Sequence, residues 1–337
     1  MANTEIPIEA FIADMPKAEL HVHLEACPTA PVLTKIAERN NLPVPADIYV
    51  LDPTDTSPPP FHDFVSFQAI FKSHLALLQT EVDFQDIALD YLTKASAENI
   101  KHVELFFGPQ YHTSRGVPFP TVVGGFISAI QFAHRTLGIS ASLVMCIDRE
   151  ESVAFGMATL ASAIPYRTTS SAKFASVFQR AHREGFRITC HCDVDYPFTV
   201  DHVREALTEL PVDRIDHGAN ANESEEVINL LLAKNIGMTG CPMSNAVSSP
   251  DLKIPELLSL LRRGVKVTIN CDAPGYFHAY LNKTLVTVTS NVNVTRKDLI
   301  QFQRNAFNIS WISARRRDQF LQMLDEYEEK ALGSAPL

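Results

Sequence analysis

The chain has 337 residues, 46% of them hydrophobic and 20% charged, with 29 basic against 39 acidic side chains and a net charge of −10. That composition excludes a disordered or collagen-like chain, and the acidic excess speaks against nucleic acid or an anionic membrane, both of which are held mainly by Lys and Arg. No apolar run approaches the roughly 18 residues needed to cross a bilayer, and residues 1–15 lack the basic and apolar blocks of an export signal, so a cytoplasmic protein with a small-molecule substrate is expected.

In chain order, short β-rich runs occur at 19–25 (ELHVHLE), 102–107 (HVELFF), 142–147 (SLVMCI), 187–193 (RITCHCD), 214–218 (RIDHG), 237–241 (GMTGC) and 266–272 (KVTINCD). Helical periodicity lies between them at 84–98, 122–137, 152–163, 173–184, 224–234 and 255–263. This alternation predicts βα units and an α/β fold of the TIM-barrel type, in one domain spanning 1–337. One connection breaks the rule. The pattern at 152–163 passes through Pro165 and a polar stretch straight into 173–184, so a strand is expected to be missing or distorted between 164 and 173. A barrel interrupted there has an edge, which favours a homo-oligomer.

Residues 43–60 are rich in Pro, Asp and Thr, and 61–78 carries Phe61, Phe64, Phe67, Ile70 and Phe71 at helical spacing. Together they predict a lid-like insertion at 43–78 whose aromatic face packs in the core or walls the pocket. The end, 308–332, reads as one amphipathic closing helix. Six cysteines, Cys27, Cys146, Cys190, Cys192, Cys241 and Cys271, fall mostly in apolar runs, where a reduced thiol behaves as a small buried hydrophobe.

Polar or ionisable residues stand at or near the C-terminal ends of five runs: His21 and His23, Glu104, His191 and Asp193, His217, and Asp272. In a TIM barrel that end is the active-site face, so residues remote in sequence converge in one mouth. Strand alternation puts His21 and His23 on one side, where two imidazoles reach one ion. Neutral histidines with one carboxylate suit zinc, with iron as the other choice, and leave a position for a water that becomes a nucleophile near neutral pH. The implied reaction class is metal-assisted hydrolysis.

The runs 15–25 (MPKAELHVHLE), 103–110 (VELFFGPQ), 214–218 (RIDHG), 241–245 (CPMSN) and 268–277 (TINCDAPGYF) resemble the adenosine/adenine deaminase family, in family order and across nearly the whole chain. The resemblance implies that His21, His23, His191 and Asp272 hold one zinc, and that His217 orients the attacking water and handles its proton. It also exposes departures. The family glutamate that protonates the purine ring is replaced by Val194, with Asp193 and Asp195 beside it as substitute donors. The family's second aspartate, which contacts a purine ring nitrogen, is Ala273. A deaminase acting on an amino-substituted heterocycle other than adenosine is therefore expected, with a catalytically silent metal-binding relative, or a hydrolase of another bond, as alternatives.

Overall fold

A computed structural model describes residues 6–54, 61–148, 151–163, 175–192, 199–248 and 251–333. Among these residues seven strands alternate with helices: α1 (Ile8–Asp14), β1 (Lys17–His23), α2 (Ala30–Arg39), α3 (Phe64–Leu75), α4 (Glu81–Ala97), β2 (Ile100–Phe107), α5 (Pro109–Thr113), α6 (Phe119–Thr136), β3 (Ser140–Met145), α7 (Val153–Ala163), α8 (Ala175–Arg183), β4 (Thr189–Cys192), α9 (Thr199–Glu209), β5 (Arg214–His217), α10 (Glu225–Lys234), β6 (Gly237–Gly240), α11 (Pro242–Ser248), α12 (Ile254–Arg262), β7 (Val267–Ile269), α13 (Pro274–Phe277), α14 (Leu281–Asn291), α15 (Arg296–Ile309) and α16 (Ala314–Leu332). All seven expected strands form. The single closing helix does not: Asn308 and Ile309 end α15, and α16 starts at Ala314, capped by the Ser313 hydroxyl accepting from the Arg316 N–H. A serine cap inside an amphipathic pattern is a helix start that periodicity alone overlooks.

The strands are parallel and form two ladders, β1-β2-β3 and β4-β5-β6-β7. A bridge between Val22 and Asp272 joins them: His23 N–H donates to the Asp272 carbonyl at 2.9 Å, and Asp272 N–H to the His21 carbonyl at 3.0 Å. The barrel wall therefore runs β4-β5-β6-β7-β1-β2-β3. Among the described residues no ladder joins β3 to β4, the place where the sequence runs from helix to helix. The expected strand break at 164–173 itself lies outside the described residues.

The β7–β1 seam is short of backbone hydrogen bonds because β7 has only three residues and β1 is bulged, its register advancing from Glu19 to Val22 while β2 advances from Val103 to Leu105. Buried amides supply the missing partners. Gln303 Oε1 accepts from Ala18 N–H at 2.9 Å, Asn270 Oδ1 accepts from Leu20 N–H at 2.8 Å, and Asn305 Nδ2 donates to the Val267 carbonyl at 2.9 Å. The bulge also re-aims β1. Glu19 faces α4, where the Tyr91 hydroxyl donates to it at 2.6 Å, while the His21 ring lies against Phe106, His191 and His217.

Glu104 does not reach the mouth. It stays a layer below, accepting from the guanidinium of Arg214 at the start of β5 and from the Trp311 N–H. Burial pushes its carboxyl up, but Arg214 and His102 outweigh this and hold its pKa at about 2. Arg214 is wholly buried and stacks over Trp311, 4.2 Å from the ring centroid. The pair is part of the barrel floor.

Within 43–78, residues 55–60 lie outside the described set. The helical half, α3, starts with a capping box made by Asp63 and Ser66. Its Phe67 meets Phe61, Phe71, Tyr276 and Phe277, and His74 Nδ1 lies 2.8 Å from the Tyr276 hydroxyl. The aromatic face thus packs on the turn that follows Asp272.

Candidate metal centre

Each site residue owes its position to a strand end. His21 and His23 come from β1, His191 from β4, His217 ends β5, and Asp272 follows β7. Two of these ends turn sharply. His217 and Asp272 adopt φ of 56° and 64°, the left-handed region that costs a residue with a Cβ on the order of 1 kcal/mol or more, and such outliers gather at functional sites. Gly218 continues the turn at φ 72°, where an added Cβ would meet Ile215 Cγ2 and Met238 Cε at 2.9 Å.

The side chains converge. His23 Nε2 lies 3.2 Å from His191 Nε2 and 3.4 Å from Asp272 Oδ1, and His21 Nε2 is 3.8 Å from that same oxygen. His217 Nε2 faces the other carboxylate oxygen, Oδ2, at 3.6 Å. The donor atoms of His21, His23 and His191 all lie within 4.8 Å of one another, as do those of His21, His217, Cys241 and Asp272. Five of the predicted site residues are therefore gathered in one place. Asp193, Val194 and Asp195 lie outside the described residues.

A carboxylate that sequence reasoning missed organises the imidazoles. Asp216 accepts from the Thr239 hydroxyl at 2.8 Å and the Thr189 hydroxyl at 2.6 Å, with His191 Nδ1 at 3.5 Å. Because the one Thr239 proton goes to Asp216, its oxygen must accept from His21 Nδ1, 2.9 Å away. That fixes the tautomer, with the proton on Nδ1 and the lone pair on Nε2. Burial pushes the His21 pKa well below its ordinary value, and the neighbouring histidines and Arg214 push it further, so the ring stays neutral. Its Nε2 is buried and finds no hydrogen-bond partner among the described residues. An orphaned lone pair beside two more imidazoles and a carboxylate fits a cation with nitrogen and oxygen ligands.

Asp216 was legible in principle: it lies two residues from Arg214 and beside His217, in a run already singled out. Thr239 and Cys241 carried weaker signals, a lone hydroxyl in an apolar strand and a thiol read as an inert hydrophobe. The structure puts Cys241 beside His217 and Asp272.

A parallel α/β wall with ligand-type residues at the C-terminal strand ends defines a hydrolase of the amidohydrolase barrel type. The sequence pattern of the family described as adenosine deaminase matches residues 16–327. The chain belongs to the adenosine deaminase family and is a hydrolytic deaminase. It is 38% identical over 335 residues to an uncharacterized deaminase of Schizosaccharomyces pombe, covering 95% of this chain and 98% of the relative. It is 36% identical over 323 residues to an adenine deaminase of Rhodospirillum rubrum, covering 91% and 95%. Among solved structures, adenine deaminase from Arthrobacter aurescens matches with a TM-score of 0.84 at 29% identity, covering 94% of this chain and 99% of that one. A zinc-bound amidohydrolase from Burkholderia ambifaria matches in fold, with a TM-score of 0.84 at 22% identity over 99% and 97% of the two chains. Among the described residues no helix is long and apolar enough to cross a membrane.

Proposed function

We propose that this chain hydrolyses the exocyclic amino group of a 6-aminopurine base, adenine or a close relative, with adenosine a poor substrate. The observation that carries this reading is the meeting of three imidazoles and the Asp272 carboxylate, with His217 on the far carboxylate oxygen. His21, His23, His191 and Asp272 would hold one ion, for which zinc suits the donor set best. When bound it would supply a Lewis acid that brings water's pKa to near neutrality. His217 orients the attacking water and takes its proton. A carboxylate at Asp193 or Asp195 returns a proton to the ring, where Val194 has none to give.

The names of the relatives support a free base as substrate, and Ala273 removes one polar contact to the purine ring, which base and nucleoside share. A lost contact of this kind costs on the order of 1–3 kcal/mol. We read 1–337 as one domain in which 43–78 is a lid. The packing of Phe67 and His74 onto Tyr276 and Phe277 supports that role, since it ties the insertion to the turn after Asp272. Six cysteines without disulfides support a reducing, cytoplasmic setting.

The test is metal analysis of the purified protein with ammonia release across adenine, adenosine, amino-pyrimidines and pterins. One equivalent of zinc and a kcat/KM for adenine at least a hundredfold above that for adenosine are expected. Adenosine turnover equal to that of adenine would overturn the substrate reading, and one equivalent of iron would replace zinc.

A further inference from the structure

The Asp272 carboxylate has two faces. Oδ1 looks toward His23 and His21, at 3.4 and 3.8 Å, whereas Oδ2 looks toward His217 Nε2 at 3.6 Å. Beside His217 and Asp272 lies the buried thiol of Cys241, so two donor sets meet at one carboxylate. His21 belongs geometrically to both sets, but its Nδ1 is committed to Thr239 and its single free nitrogen is the one facing Oδ1. It can serve one ion. Counting His21 with His23 and His191 leaves a second set of one thiol, one imidazole and one carboxylate oxygen, which suits a borderline or soft divalent cation.

We infer that Cys241, His217 and Asp272 Oδ2 form a second, inhibitory site for zinc or cadmium, distinct from the resident ion and sharing the Asp272 carboxylate with it. Binding forms a metal–sulfur bond and releases the thiol proton to solvent, so the charge of the site changes by one unit less than that of the ion. Occupancy captures His217, the residue assigned to orient the attacking water, and so arrests turnover. The inference rests on the proposed function in placing the resident ion on the Oδ1 side.

The experiment uses the purified protein carrying its resident zinc and adds cadmium chloride stepwise. Bound zinc and cadmium are counted by elemental analysis after equilibrium dialysis, and the ultraviolet thiolate-to-cadmium absorption is recorded. One cadmium is expected in addition to one zinc, with the thiolate band growing in step and ammonia release falling tenfold or more. Cys241→Ser should keep one zinc and lose the band together with the added cadmium. His217→Asn should keep one zinc and bind cadmium at least tenfold more weakly, which tests the site even where the serine variant fails to fold. Protein that holds one zinc but takes no cadmium, or takes it without a thiolate band, overturns the second site. So does a Cys241→Ser variant that still takes the added cadmium. A band that appears as cadmium replaces the only zinc makes Cys241 a ligand of the resident ion and also refutes it. Protein that holds no metal overturns the function reading and this inference together.

Discussion

His217 Nε2 stands 3.6 Å from Asp272 Oδ2, and both residues hold left-handed backbone at φ of 56° and 64°. Backbone strain of this kind gathers at functional sites, and the proposed function gives His217 a proton-handling role beside Asp272. Asn tolerates this backbone region and cannot handle the proton. His217→Asn should therefore keep one equivalent of resident metal while kcat/KM falls by about 10²–10⁴. Loss of the metal in that variant would make His217 a ligand instead.

His21→Ala with His23→Ala removes the two imidazoles that face Asp272 Oδ1, at 3.8 and 3.4 Å. Metal content should fall from one equivalent to near zero, measured by elemental analysis of protein whose far-ultraviolet circular dichroism is unchanged. A double variant that still retains a full equivalent would place the ion elsewhere.

The proposed function leaves the ring proton to Asp193 or Asp195, which flank Val194. Asp193→Asn with Asp195→Asn should lower kcat on the true substrate by about 10²–10⁴, the usual weight of a general acid, and remove one limb of the pH profile. Full activity in the double variant would show that the ring proton comes from another group.

Glu19 of β1 is buried against α4, and that burial raises its carboxyl from 4.5 to about 7 even though it accepts hydrogen bonds from Cys271 and Tyr91. The unfolded chain ionises this group first, so between about pH 4.5 and 7 the folded state holds more protons and stability falls as the pH rises. The loss is on the order of 3 kcal/mol once the pH has passed 7. Glu19→Gln keeps an acceptor for the Cys271 N–H and cannot ionise. Urea midpoints measured from pH 5 to pH 8 should drop for the parent and stay level for the variant, and equal slopes would assign the burial cost elsewhere.

Gly218→Ala should cost about 2–3 kcal/mol. The methyl group adds the left-handed penalty of about 1–2 kcal/mol to close contacts at 2.9 Å with Ile215 and Met238. A urea midpoint within error of the parent would mean that the β5 turn can re-form without positive φ.

Much of this was legible in the chain itself. Short β-rich runs separated by period-3.6 runs marked all seven strands and the barrel type, because burial on both faces demands mostly apolar strands and water-facing helices demand a stripe. The same runs located His21, His23, His191, His217 and Asp272 at strand ends, and their alternation anticipated that the first two share a side. Chain order is silent about what crosses between strands. Glu104 reads like a mouth residue, yet it is neutralised a layer below by Arg214, a partner 110 positions away. The β1 bulge, which turns Glu19 outward, is set by pairing with β2 and by amides from α15 and the β7 end, so no local pattern announces it. Asp216 and Thr239 acquire their role only when β4, β5 and β6 lie side by side, since a tautomer is fixed by hydrogen bonds and those need distances of about 3 Å. Cys241 looks inert in its own run, and only packing against His217 and Asp272 gives it chemistry.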